Sequence, residues 1–184
     1  MTNTLSPQLL ARIANDSHTV PWDWLARDYT LSEQFIAQYA AKLNWMYVSI
    51  YQRLSEPFID HWRDRIHWKS ICECQRLTEA YLDNWVEQLD WPAVSVYQTL
   101  SEEFMNRWVD RLDWKLVSVY QKLSEEFMDR HQDLLDWKTI SNYQLLSPEF
   151  ILRHLDLLDL NAVKVNYPTT YQNYYLASYQ LLTR

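Results

Sequence analysis

His61, His67, Cys72 and Cys74 lie close together and supply the sulfur and imidazole donors that zinc prefers. A zinc site wants a Cys-x2–4-Cys pair at a turn, or histidines one helical turn apart. The two cysteines are two positions apart in a segment that reads as helix, which sets them about 200° apart around its axis. They cannot share an ion there, and the alternative is that they fill positions held elsewhere in the chain by Ser and Tyr. His131 and His154 form a second pair, imaginable as metal ligands or as a proton switch. The column they occupy holds Tyr39, Trp62, Trp85 and Trp108 elsewhere, so a planar ring filling a half-buried slot is the simpler account. No Ser/His/Asp arrangement stands out, because the serines recur at regular intervals and a catalytic residue should be singular. The chain has no glycine, which excludes the phosphate-cradling loops of nucleotide and dinucleotide enzymes. We expect no enzyme activity, no cofactor and no metal, the one catalytic alternative being a site around residues 160–175.

These residues are positioned by a repeat. Trp22, Trp45, Trp68, Trp91, Trp114 and Trp137 are each 23 residues apart. With Trp as position 1, position 8 reads Tyr29, Gln52, Gln75, Gln98, Gln121 and Gln144. Position 10 is Leu six times, from Leu31 to Leu146. Position 11 is Ser or Thr, and position 14 is Phe35, Phe58, Tyr81, Phe104, Phe127 and Phe150. Such fidelity marks stacked structural units.

Each unit reads as two helices of about 11 and about 9 residues with almost no loop, by the usual helix-start signals. The first starts at the position-11 hydroxyl, and the second at position 23, which is Asn44, Asp90, Asp113 and Asp136 in four repeats. Leu123 with Met128, and Leu135 with Ile140, sit at hydrophobic-staple spacing around their caps. Pro7, Pro57, Pro92 and Pro148 fall in first turns, where a missing N–H costs nothing. The fold class is therefore all-α, an α-solenoid of tandem 23-residue helix-turn-helix repeats forming a single domain over 1–184. At about 9–10 Å per helix layer the array would be an elongated rod roughly 60 Å long. Within it we expect a half-repeat cap at 1–21, repeats over 22–159, an irregular insertion at 160–170 and a C-terminal capping helix at 171–184.

The segment Asp113-Trp114-Lys115-Leu116-Val117-Ser118-Val119-Tyr120-Gln121-Lys122-Leu123-Ser124-Glu125-Glu126-Phe127 resembles a short tandem repeat of uncharacterised viral, phage and bacterial proteins. The likeness covers nearly the whole chain. It implies a solenoid and a viral or mobile-element origin. By analogy with small solenoids of such origin, it implies a counter-defence protein that occupies a host factor.

Composition and surface narrow the function. The net charge of −7 has the wrong sign for general nucleic-acid affinity. No leader-like or membrane-spanning apolar run is present in the sequence. Two cysteines are too few and too close for a disulfide framework. The expectation is a cytoplasmic protein with a protein partner, no direct nucleic-acid or membrane partner, and scope for self-association through incomplete end repeats. The position-8 glutamines could cap exposed carbonyls at the end of the second helix, or form a ladder that reads a regular polymer.

The first helix carries acidic columns, with Asp64, Glu87, Asp110, Asp129 and Asp133 as candidates for a stripe imitating DNA phosphates and capturing a nucleic-acid-binding protein. Against this stand Glu103–Arg107, Glu126–Arg130 and Glu149–Arg153, ordinary i,i+4 pairs that neutralise the same helix. The second helix carries Lys69, Lys115, Lys138, Arg53, Arg76 and Lys122 beside apolar positions. There Tyr47, Ile50, Val96, Leu116 and Val119 are the candidate protein-binding residues, provided the neighbouring repeat does not bury them.

Overall fold

A computed structural model describes residues 3–15, 20–170 and 172. The position-11 residues Ser32, Ser55, Thr78, Ser101, Ser124 and Ser147 each cap a helix by accepting from the amide three residues on. Asn44, His67, Asp90, Asp113, Asp136 and Asp159 cap the second helix of each repeat. Between the caps, apolar residues one turn apart face inward.

Contacts divide the chain into two compact units, Met1–Gln98 and Thr99–Arg184. In the first, the helices are α1 (Pro7–Asn15), α2 (Trp22–Asp28), α3 (Glu33–Gln38), α4 (Trp45–Tyr51), α5 (Glu56–His61), α6 (Trp68–Cys74), α7 (Glu79–Asn84) and α8 (Trp91–Tyr97). The Trp-led helices α2, α4, α6 and α8 stack in succession. In the second unit the helices are α9 (Glu102–Arg107), α10 (Trp114–Tyr120), α11 (Glu125–Arg130), α12 (Trp137–Tyr143), α13 (Pro148–Arg153) and α14 (Leu160–Asn166). There α10, α12 and α14 stack in the same way. The fold is the expected all-α solenoid of 23-residue repeats.

The core follows the columns. Val48, Ile71, Val94, Val117, Ile140 and Val163 at position 4 are all fully buried. The paired positions 14 and 15, such as Phe104 with Met105 and Phe127 with Met128, are buried beside them. Each such side chain contributes roughly 1.5–3 kcal/mol by leaving water. That burial holds helices far too short to persist alone.

Three features differ from the expectation. The helix after position 11 is six residues long in α3, α5, α7, α9, α11 and α13, not about 11. It tightens into i→i+3 turns at the position-18 ring, as in Arg65 N–H to Trp62 O at 2.8 Å and Leu134 N–H to His131 O at 3.0 Å. The short turn lets that ring lie against the Trp of its own repeat. Secondly, β1 (Asn3–Thr4) and β2 (Tyr29–Thr30) form a two-residue parallel pairing. It joins the extended stretch ahead of α1 to the extended stretch after α2.

The third difference is a correction. Residues 160–170 are not an irregular insertion: α14 occupies Leu160–Asn166. Leu160 stands 23 residues after Trp137, Asp159 caps the helix, and Val163 fills the buried position 4. Reading the absent Trp as a break in register missed the cap and the core residue, which keep it. The expected capping helix at 171–184 lies outside the described residues apart from residue 172.

Candidate interaction face

With no glycine available, no described residue has positive φ. Each Trp-led helix instead ends on an extended residue, such as Gln75 at φ −99° and ψ 151°. This leaves helix-end carbonyls and link amides to be satisfied by something else. The position-8 glutamine of the next repeat does so. Gln52 Nε2 donates to Ala26 O at 2.7 Å and Tyr29 O at 2.8 Å, and its Oε1 accepts from Leu31 N–H at 2.7 Å. Gln75 does the same for Ser49 O, Gln52 O and Leu54 N–H, and Gln144 for Ser118 O, Gln121 O and Leu123 N–H. The column is buried and its amides are spent on backbone, so it cannot read a polymer. In α14 two residues share the task. Asn166 Nδ2 donates to Ser141 O at 3.1 Å, while the Tyr167 hydroxyl donates to Gln144 O and accepts from Leu146 N–H.

The acidic columns are partly structural as well. Glu33, Glu56, Glu102 and Glu125 reach into the following repeat and accept from the backbone amides of Ser55, Thr78, Ser124 and Ser147, at 2.5–2.8 Å. The Leu54–Ser55, Leu77–Thr78 and Leu123–Ser124 links are thereby held from both sides, by a glutamine of the next repeat and a glutamate of the previous one. Asp129 is drawn into the same kind of joint. Its Oδ1 lies 2.8 Å from His154 Nε2 and its Oδ2 accepts from Arg153 at 3.2 Å. Asp64, Glu87, Asp110 and Asp133 remain solvent-exposed. Of the expected i,i+4 pairs, Arg107–Glu103 and Arg130–Glu126 form at 3.2 and 3.8 Å, whereas Arg153 turns to Asp129.

The histidines and cysteines do not converge, and among the described residues no three His, Cys, Asp or Glu side chains could hold one metal ion. His67 caps α6 and donates its own amide to Ser49 Oγ at 3.0 Å. His131 and His154 stack on Trp114 and Trp137 at 5.6 and 5.4 Å between centroids, in the slot where Trp62 meets Trp45 at 4.9 Å. Burial, then the neighbouring Arg130 charge, lowers the His131 pKa, with Glu102 opposing. Burial pushes the Cys72 thiol up to about 11, while Cys74 is exposed. Tyr81, the one departure from Phe in its column, is buried with its hydroxyl unpartnered. Burial first, then Asp60 and Glu56, raises its pKa.

What remains open to a partner is the outer face of the Trp-led helices. Tyr47, Ile50, Val96, Leu116 and Val119 lie on or beside it but are only half exposed, and Tyr47 packs on Tyr51 at 5.9 Å. The more prominent groups were not singled out from sequence: Tyr51, Tyr97, Tyr120 and Tyr143 at position 7 are 45%, 59%, 57% and 67% exposed, and Leu145 is 91% exposed. Position 7 is the last residue of its helix and only three after the buried position 4, so helical phase does not mark it as solvent-facing; the one signal in the sequence is that it is Tyr in four repeats. Comparison with protein-family models, with curated proteins and with solved structures finds no match for this chain. No helix among the described residues is long and apolar enough to cross a membrane.

Proposed function

We propose that the protein is a non-catalytic scaffold that binds a protein partner through the outer face of its Trp-led helices. The observation that carries this reading is the recurrence of an exposed tyrosine at position 7 in four repeats, Tyr51, Tyr97, Tyr120 and Tyr143, with Cys74 between the first two. A solenoid needs Trp, Leu and Phe inside, but nothing in its packing calls for tyrosine outside. Exposed Tyr supplies broad, amphipathic contact area at low entropic cost, which is why it is enriched where proteins meet. The glutamine column and the position-12 glutamates Glu33, Glu56, Glu102 and Glu125 are engaged in joining repeats, whereas the position-7 tyrosines stay exposed. The viral or mobile-element resemblance makes a blocked host factor the natural kind of partner.

The competing reading, an acidic DNA mimic, has fewer uncommitted carboxylates to draw on. The position-12 glutamates hold backbone amides, and Asp129 pairs with His154 and Arg153. The test is capture from a nuclease-treated host lysate, washed at low and high salt, with three baits. A protein retained by the parent and by Asp64→Lys/Asp110→Lys/Asp133→Lys, but lost with Tyr51→Ala/Tyr97→Ala/Tyr120→Ala/Tyr143→Ala, supports the scaffold. A nucleic-acid-binding protein lost with the aspartate variant and kept by the tyrosine variant overturns it in favour of mimicry.

A further inference from the structure

The charge beside the tyrosines is opposite to that of the whole chain. In the first unit Arg53 and Arg76, at position 9 of successive repeats, flank a cleft that is also lined by Leu54, Cys74 and Gln75. Both guanidiniums are exposed, and no ion pair engages either among the described residues. In the second unit Lys115, Lys122 and Lys138 stand at positions 2 and 9 of the repeats that carry Tyr120 and Tyr143, all exposed and with no ion pair among the described residues. On α9, α11 and α13, Arg107, Arg130 and Arg153 each have a carboxylate within 4 Å, while Arg63 and Arg65 lie over Trp rings. Five exposed cations without an ion pair among the described residues thus lie on or just after the Trp-led helices, in a protein of net charge −7; Lys69, on α6, is paired to Glu73.

We infer that each unit's tyrosine face takes an extended acidic segment of its partner polypeptide, with carboxylates on Arg53 and Arg76 or on Lys115, Lys122 and Lys138, and apolar side chains against the tyrosines. This rests on the scaffold reading above and specifies its partner. The chain direction follows from the layout. Stacked helices repeat about every 8–10 Å, and an extended chain in the polyproline II conformation has about three residues per turn and advances about 3.1 Å per residue. Apolar side chains three residues apart therefore meet successive repeats, with two positions between them for carboxylates. Arginine favours planar carboxylate recognition through paired N–H groups, which suits the Arg53–Arg76 cleft. The net negative charge of the chain repels any polyanion at long range, so attraction has to come from the few cations of this face, which suit spaced carboxylates among apolar side chains better than a continuous phosphate backbone.

The experiment is fluorescence anisotropy with the full chain and a labelled synthetic peptide of repeated Leu-Glu-Glu triplets. Repeated Leu-Lys-Lys triplets and oligo-dT serve as competitors for the same face. Saturable binding of the Leu-Glu-Glu peptide is expected, weakening as salt rises. It should fall at least tenfold with Arg53→Glu/Arg76→Glu/Lys115→Glu/Lys122→Glu/Lys138→Glu, and to a lesser extent with the corresponding Gln variant. All five positions are exposed, so helicity by circular dichroism should be unchanged. Absence of saturable binding, indifference to the five substitutions, or tighter binding of oligo-dT would each overturn the inference. The two levels of reading separate cleanly. If the captured partner depends on the four tyrosines but not on the five cations, the acidic segment is wrong and the scaffold stands. If it depends on neither, both fall.

Discussion

Gln52→Met removes a clamp while keeping an unbranched side chain of similar length in the same slot. Gln52 is buried and makes three hydrogen bonds to backbone of the preceding repeat, all at 2.7–2.8 Å. The substitution leaves Leu31 N–H and two carbonyls without that partner. Removing one partner from a buried bond exposes the other to a penalty of about 1–3 kcal/mol per group. Three groups give about 3 kcal/mol at the low end, where water enters and partly replaces the amide, and more where it does not. Against a typical total of about 5–15 kcal/mol, that is a large share of the stability of a domain. Urea denaturation of parent and variant measures the loss, and amide exchange at Leu31 locates it. A loss below about 1 kcal/mol, or unchanged protection at Leu31, would refute the claim that the glutamine column holds the repeats together.

Tyr81→Phe should raise stability by about 1 kcal/mol, since it restores the column's residue and removes a buried hydroxyl that has no partner; thermal denaturation checks this, and destabilisation would mean the hydroxyl has a use. In a thiol-titration assay of the native protein near pH 8, Cys74 should react and Cys72 should stay inert until denaturant is added, because Cys72 is buried and its pKa raised to about 11. Two rapid equivalents in the native state would contradict that placement. The lowered His131 pKa means its charged form is disfavoured in the fold, so its contribution to stability is present above the ordinary imidazole range and lost as pH falls through it. His131→Trp should therefore lose less stability than the parent between pH 7.5 and pH 5, and an equal loss in both would remove His131 as the cause.

Columns defined by spacing were legible in the sequence, because they follow from local rules. Ser124 and Asp136 cap where a hydroxyl or carboxylate precedes an apolar turn, and Val117 and Phe127 are buried by helical phase. Residues whose partners lie a repeat away were harder. Gln52 serves carbonyls 23 and 26 residues earlier, and nothing within one repeat distinguishes such a clamp from a recognition ladder. Glu102 looks like a solvated first-turn acid until Ser124 is placed beside it. The register of α14 was hidden for a related reason. Leu160 replaces Trp, and Asn166 with Tyr167 replaces one glutamine, so letter-matching fails where the hydrogen-bond pattern persists. On the outer face, helical phase singled out Val96 and Val119, and it cannot show that they are less exposed than Tyr97 and Tyr120.

The central functional claim is most directly tested by surface labelling of the protein alone and in complex with the partner retained at high salt, using tyrosine iodination and carboxylate modification in parallel, read by mass spectrometry. The account predicts that Tyr51, Tyr97, Tyr120 and Tyr143 lose labelling in the complex while Asp64, Asp110 and Asp133 label as before. Protection of those aspartates with the tyrosines still reactive would contradict it, and would place the partner on the acidic helices instead.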